Sequence, residues 1–128
     1  PPSRVIGTGT ALDTARLRQV LGRELKLSPK SIHAQVVGEH GDSEVVLWSS
    51  ATVGGVPLRG YPGWDAAKEP ALAAEVRTAA YEIIRRKGAT NHAIGLVTAA
   101  VLKAVLRDHR QVLTVARVQD GMNGVALS

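Results

Sequence analysis

A chain of 128 residues, 45% hydrophobic and 21% charged with mean hydropathy near zero, is long enough to bury a core without cross-links; its composition excludes a disordered or membrane-embedded chain. Sixteen Lys and Arg against eleven Asp and Glu leave a net charge of +5, which suits acidic small molecules or phosphates as partners, while two Trp, two Tyr and no Phe argue against nucleic acid, which is gripped by stacking. Cysteine is absent, which excludes disulfides, thiolate nucleophiles and cysteine-held metals and is compatible with a reducing compartment. With no basic-then-apolar leader and no long apolar run, a cytoplasmic location is expected.

In chain order, a short apolar segment around Val5 and Ile6 leads into Gly7-Thr8-Gly9-Thr10. Leu12, Ala15, Val20 and Leu21 then recur at helical spacing, which predicts a helix from about residue 11 to 26. Thr10 followed by Asp13 resembles a capping box. Residues 32 to 37 alternate and predict a strand, interrupted by the polar stretch Gly38 to Ser43. A second strand is expected from about 45 to 53, turning at Gly54-Gly55 into 56 to 58 as a hairpin. Glu69-Pro70 suits the first turn of a helix running to about Lys87. Gly88 breaks the register, and a more apolar helix, expected to be buried, runs from about Asn91 to Leu106. A strand from 111 to 118, turns at Asp120-Gly121 and Asn123-Gly124, and a final strand from Val125 complete the pattern. Strands and helices are segregated rather than alternating, which argues for an α+β domain.

Three groups of residues bear on chemistry. Gly7-Thr8-Gly9 opens a helix as a dinucleotide-binding turn does, but the third small residue of that fingerprint would fall at Leu12, and too little chain precedes it for the first strand; it reads as an ordinary strand-to-helix turn. Asp13 and Arg16, three apart, project from one helix face, whereas Arg18 is turned about 200° from Arg16. Spacing alone does not separate a functional pair from a surface ion pair. His40, flanked by Glu39 and Asp42 at a strand break, is placed to exchange protons near neutral pH if a carboxylate fixes its ring, and Asp13 is a candidate for that carboxylate; an idle loop histidine has the same local sequence. His33, His92 and His109 lie without ligand-like spacing to His40, so no metal is expected, and no Gly-x-Ser-x-Gly segment supports a serine hydrolase.

The string from Gly7 to Arg18, GTGTALDTARLR, closely resembles the L-lactate dehydrogenase segment that bears a catalytic aspartate and a substrate-binding arginine. Gly38 to Glu44, GEHGDSE, resembles the segment bearing the catalytic histidine, and Gly88 to Gly95, GATNHAIG, resembles the helix that closes the substrate pocket. The resemblance covers essentially the whole chain and the central to late part of a family member. It implies the family's C-terminal substrate-binding domain over residues 1–128: antiparallel strands with packed helices, incomplete at both ends, and lacking the nucleotide-binding domain. It also implies catalysis by His40 and Asp13, substrate binding by Arg16 and Thr90, and a nicotinamide contact at Ile94 for NAD held mainly by the missing half. Pyruvate and L-lactate are the implied substrates, and a homotetramer the implied assembly. Arg18 and His33 match positions where bacterial members bind fructose 1,6-bisphosphate as an activator. Malate dehydrogenase is the near alternative, sharing the pattern at Asp13, Arg16 and His40; Glu39 before the histidine is the lactate-type choice. The isolated 128 residues are expected to be inactive, and a truncated domain with no chemistry is the reading of another class.

Overall fold

The computed structural model describes residues 1, 4–122 and 125–127, with side chains described through residue 118. The expected turn at Asn123-Gly124 lies outside the described residues. The first ordered element is β1 (Ile6–Gly7), which leads directly into α1 (Ala11–Leu25). On α1 the apolar positions Leu17, Val20 and Leu21 follow helical spacing, and all three are buried. The helix ends with Lys26 in the left-handed region at φ 55°, and the Leu27 N–H closes back on the Gly22 carbonyl at 2.8 Å. A side chain at Gly22 would stand 2.8 Å from the Leu27 carbonyl oxygen, so this tight exit requires glycine.

Beyond α1 come β2 (Ile32–His33), β3 (Val36–Val37), β4 (Val45–Val46), β5 (Thr52–Val53) and β6 (Val56–Pro57). The single strand expected over 32 to 37 is two short strands with different partners: β2 pairs antiparallel with β5, and β3 pairs antiparallel with β4. The alternation is nevertheless real, since Ile32, Ala34 and Val36 are all buried. The strand expected over 45 to 53 is likewise broken, by a 3-10 turn at Trp48–Ser50. The hairpin at Gly54-Gly55 joins β5 to β6, as the two positive-φ glycines demand.

Helix α2 (Glu69–Lys87) starts with Pro70 in its first turn and stops at Gly88, which sits at φ 78°. It packs on α1 through Leu72 and Val76, both buried, and the two helices are clamped by Arg23, which donates to both carboxylate oxygens of Glu75 at 2.7 Å. Leu17, Leu21, Ile32, Val36, Leu58 and Val76 are fully enclosed and form the centre of one core between the two helices and the short strands. Near its edge Glu69 is buried while accepting two hydrogen bonds from Arg59, at 2.9 and 2.7 Å, and one from the Trp64 indole at 3.4 Å.

Helix α3 (Asn91–Leu106) has the expected limits but not the expected burial. Only Ala104 is buried, while Leu96 is 74% and Leu106 80% exposed. Its apolar composition is that of a core helix, yet too little of the described chain reaches it to cover its faces. The predicted strand over 111 to 118 narrows to β7 (Ala116–Arg117), which pairs antiparallel with β1. At the crossing, Gly9 has φ 51° and a side chain there would stand 2.7 Å from the Ala116 nitrogen, so the glycine serves close backbone approach rather than phosphate binding. A last hairpin, β8 (Gln119–Met122) with β9 (Val125–Leu127), matches the expected terminal strand. All pairings are antiparallel and the sheets small, as an α+β domain requires.

Candidate active site

The site begins with how α1 is docked on β3. Thr10 Oγ1 donates to the Val36 carbonyl at 2.6 Å, and Thr14 Oγ1 accepts from the Val36 N–H at 3.0 Å. Two helix hydroxyls thereby satisfy both backbone groups of a fully buried strand residue, which would otherwise be costly to leave unpaired. The same docking corrects the capping box: Thr10 makes no side-chain cap bond, because its hydroxyl is committed to Val36, and Asp13 turns elsewhere. Two residues past Val36 the chain bends at Gly38, φ 91°, and brings His40 back over the start of α1.

There the three expected residues meet. Asp13 Oδ2 lies 2.5 Å from His40 Nδ1, and Asp13 Oδ1 accepts from Arg16 Nη1 at 3.1 Å. The burial is graded, with the Asp13 side chain 2% exposed, that of Arg16 14% and that of His40 55%. A surface ion pair is therefore the wrong description of Asp13 and Arg16: the carboxylate is sealed and divided between a guanidinium and an imidazole. Such a carboxylate orients the ring and stabilises its charged form. Glu39 does not share this task; it accepts from the Ser43 hydroxyl at 2.8 Å in the exposed loop.

Residue reasoning did not give Glu44 a role. It is 5% exposed, and a carboxylate oxygen of it lies within 4.8 Å of ligating atoms of both Asp13 and His40. Burial first, and then the Asp13 charge, push its carboxyl above the usual range, with Arg77, His40 and Arg16 pulling the other way. The available signal was its spacing, four residues past a loop histidine. Asp13, His40 and Glu44 are close enough to share a cation, and the Arg16 guanidinium already pairs with Asp13.

Arg16 also lines an open groove of about 970 Å³ between α1, α2 and α3, walled by Val20, Ala79, Ile83, Ala93 and Val97. Thr90, half-buried just before α3, and Ile94, 46% exposed on it, make no described contact with Asp13, Arg16 or His40. Arg18 faces away, as its helical phase requires; its Nε donates to the Ala34 carbonyl at 3.2 Å. Arg18 and exposed His33 line one small cavity of about 280 Å³, with Gln35 and Ser50.

Residues 10–128 match the model of the lactate/malate dehydrogenase, alpha/beta C-terminal domain. The chain belongs to this family. It is 50% identical over 122 residues to the L-lactate dehydrogenase of Synechococcus sp. (strain JA-3-3Ab), covering 94% of this chain and 40% of that protein. It is 49% identical over 129 residues to the L-lactate dehydrogenase of Salinibacter ruber, covering 98% and 41%. Among solved structures, the minor L-lactate dehydrogenase from Enterococcus mundtii in its ligands-bound form superposes with a TM-score of 0.90 at 44% identity, over 98% of this chain and 41% of that one. The chain thus spans about 40% of the length of the relatives it matches.

Proposed function

We propose that this domain is the substrate-binding half of an NAD-dependent L-lactate dehydrogenase, interconverting pyruvate and L-lactate. The observation that carries the reading is the sealed Asp13 carboxylate, 2.5 Å from the His40 ring on one side and 3.1 Å from the Arg16 guanidinium on the other. Arg16, fixed by that contact and lining the groove, presents its remaining N–H groups to the carboxylate of a small 2-keto acid, and the fork of a guanidinium suits that shape. His40 in its charged form donates a proton to the substrate's carbonyl oxygen, and in the reverse direction its neutral ring removes the hydroxyl proton. Asp13 balances the imidazolium charge and holds the ring's orientation.

NAD, when bound, supplies or accepts the hydride at the substrate's second carbon. Ile94, apolar and exposed on α3, is assigned to the nicotinamide face, and Thr90, at the head of the same helix, to the border of the substrate. The L-lactate dehydrogenases among the relatives, together with Glu39 before the histidine, support lactate over malate chemistry. The same reading includes a homotetramer, to which exposed apolar α3 lends support, and a cytoplasmic setting; no helix of the described residues is long and apolar enough to cross a membrane. The cavity shared by Arg18 and His33 supports fructose 1,6-bisphosphate as an activator, since a guanidinium and an imidazole converge there.

Titration calorimetry with oxamate, a pyruvate mimic, tests the site on the chain itself. Weak binding is expected, reduced about 10- to 100-fold by Arg16→Lys and unchanged by Arg18→Lys, from the loss of charge-assisted bonds at one site only. Equal binding by all three proteins would refute the assignment of Arg16. Mixed with pyruvate and NADH, the 128 residues alone are expected to show no turnover, because no dinucleotide-binding unit was found in their sequence.

A further inference from the structure

Glu44 is the group in the site that the proposed chemistry does not use. Its side chain is buried, yet among the described residues Oε1 has no hydrogen-bond partner, and Nε of the neighbouring Arg77 on α2 is buried without one as well. Arg77 reaches the Glu44 backbone instead, donating from Nη2 to its carbonyl at 3.5 Å. A carboxyl left without a direct bond inside a protein is expensive, and packing alone would be served better by an apolar side chain of the same size. What Glu44 does have is position, within 4.8 Å of both Asp13 and His40.

We propose that Glu44 is a positioning residue for His40: a second acidic group, behind the Asp13–His40 pair, whose negative charge steadies the protonated imidazole through space. The proposal rests on the reading of His40 and Asp13 as an acid–base pair. Asp13 lies against the ring and Arg16 against Asp13, both from α1; Glu44 of its own loop lies within 4.8 Å, Arg77 of α2 bonds the Glu44 backbone, and Glu39 and Asp42 are sequence neighbours, Glu39 bonded to Ser43. Asp13 is paired with Arg16, whereas Arg77 bonds only the Glu44 backbone and acts on its carboxyl through space. Removing the charge of Glu44 or of Arg77 then tips the balance in a known direction. Burial first, and then Asp13, push the Glu44 carboxyl upward, while Arg77 and His40 pull it down.

The test is the pH titration of the His40 ring protons by NMR in the 128-residue chain, with the signal assigned by its loss in His40→Asn. Glu44→Gln keeps shape and removes charge. Its His40 midpoint is expected to fall by about half a unit to one unit, from one unit charge at this separation beside a largely hydrated ring. Glu44→Asp, which keeps the charge, is expected to restore most of the difference. Arg77→Met removes the opposing cation and is expected to move the midpoint up, which keeps the idea testable if Glu44→Gln does not fold. A midpoint unchanged in Glu44→Gln, or a fall in Arg77→Met, overturns the proposal. Asp13→Asn separates the two readings: a midpoint that moves in Asp13→Asn but not in Glu44→Gln rejects Glu44 alone, whereas one that moves in neither rejects the acid–base pair beneath it.

Discussion

His40 Nδ1 and Asp13 Oδ2 stand 2.5 Å apart although the imidazole is 55% exposed and the carboxylate 2%, so a solvent-facing ring is steered from its buried edge. The other ring nitrogen makes no hydrogen bond among the described residues. Asp13→Asn keeps the shape of this contact and discards its charge. Two charge-assisted hydrogen bonds are weakened at once, to His40 and to Arg16, and oxamate affinity measured by calorimetry is expected to drop by about 10-fold or more. An unchanged affinity would mean that the aspartate orients nothing the ligand uses.

Glu44 makes a prediction about stability as well as about the site. Its folded carboxyl sits above the usual range because burial and Asp13 disfavour its charge, so the folded state holds this proton more tightly than the unfolded chain does. Its contribution becomes unfavourable as pH rises from the ordinary carboxylate value through the raised one. Glu44→Gln is therefore expected to melt a few degrees higher than the wild type at pH 7, about 2 to 5 °C for a domain of this size, with the gap closing below about pH 4.5. A gap of the same size at both pH values would show that charge is not its origin.

Glu69 carries the opposite sign. Hydrogen bonds from Arg59 first, with the Trp64 indole assisting against the cost of burial, hold its carboxyl below the usual range. The stabilisation is present above the unfolded value and disappears as pH falls through the depressed folded one. Glu69→Gln should destabilise the domain by about 1 to 3 kcal/mol in urea unfolding at pH 7, because a buried charged acceptor with two guanidinium bonds is lost. Variant and wild type should converge progressively as pH falls through that depressed value; a difference that does not shrink with falling pH argues for lost packing instead.

The uncovered apolar surface of α3 makes its own prediction. Leu96→Gln and Leu106→Gln, at positions 74% and 80% exposed, should shift the melting midpoint by less than about 2 °C, since neither side chain contributes to the core. Both should reduce the fluorescence of a dye that binds apolar surface and raise the concentration at which the chain aggregates. A large loss of stability would place these leucines in a packed interface within the domain.

What could be read from residues and what could not divides along physical lines. Periodicity and punctuation placed all three helices within about one residue, because Pro70, Gly88 and the spacing of Leu12, Ala15, Val20 and Leu21 act locally, although Ala15 is exposed and Leu12 only half-buried. The strands were harder: alternation over 32 to 37 marked extended chain, but nothing local says that β2 and β3 bond to different partners. The burial expected of α3 failed because an apolar composition records that a helix needs a cover without recording where the cover comes from. The site followed the same rule. Asp13, Arg16 and His40 were marked by their resemblance to a known pattern, and their meeting depends on Thr10 and Thr14 gripping Val36 more than twenty residues away, a contact with no signature in spacing. Glu44 and Arg77 escaped notice because a buried acid is conspicuous only once its surroundings are known.

The pairing of β1 with β7 places residues 6 and 7 against 116 and 117, and Thr14 touches Thr114 across a sequence separation of 100. The opening of α1 is therefore flanked by residues about 100 positions further along the chain. Loop closure over so long a stretch is slow, so the Asp13–His40 contact, closed over 27 residues, can form before the strand that borders α1 is in place. In this domain the surroundings of the site tighten after its central contact is made.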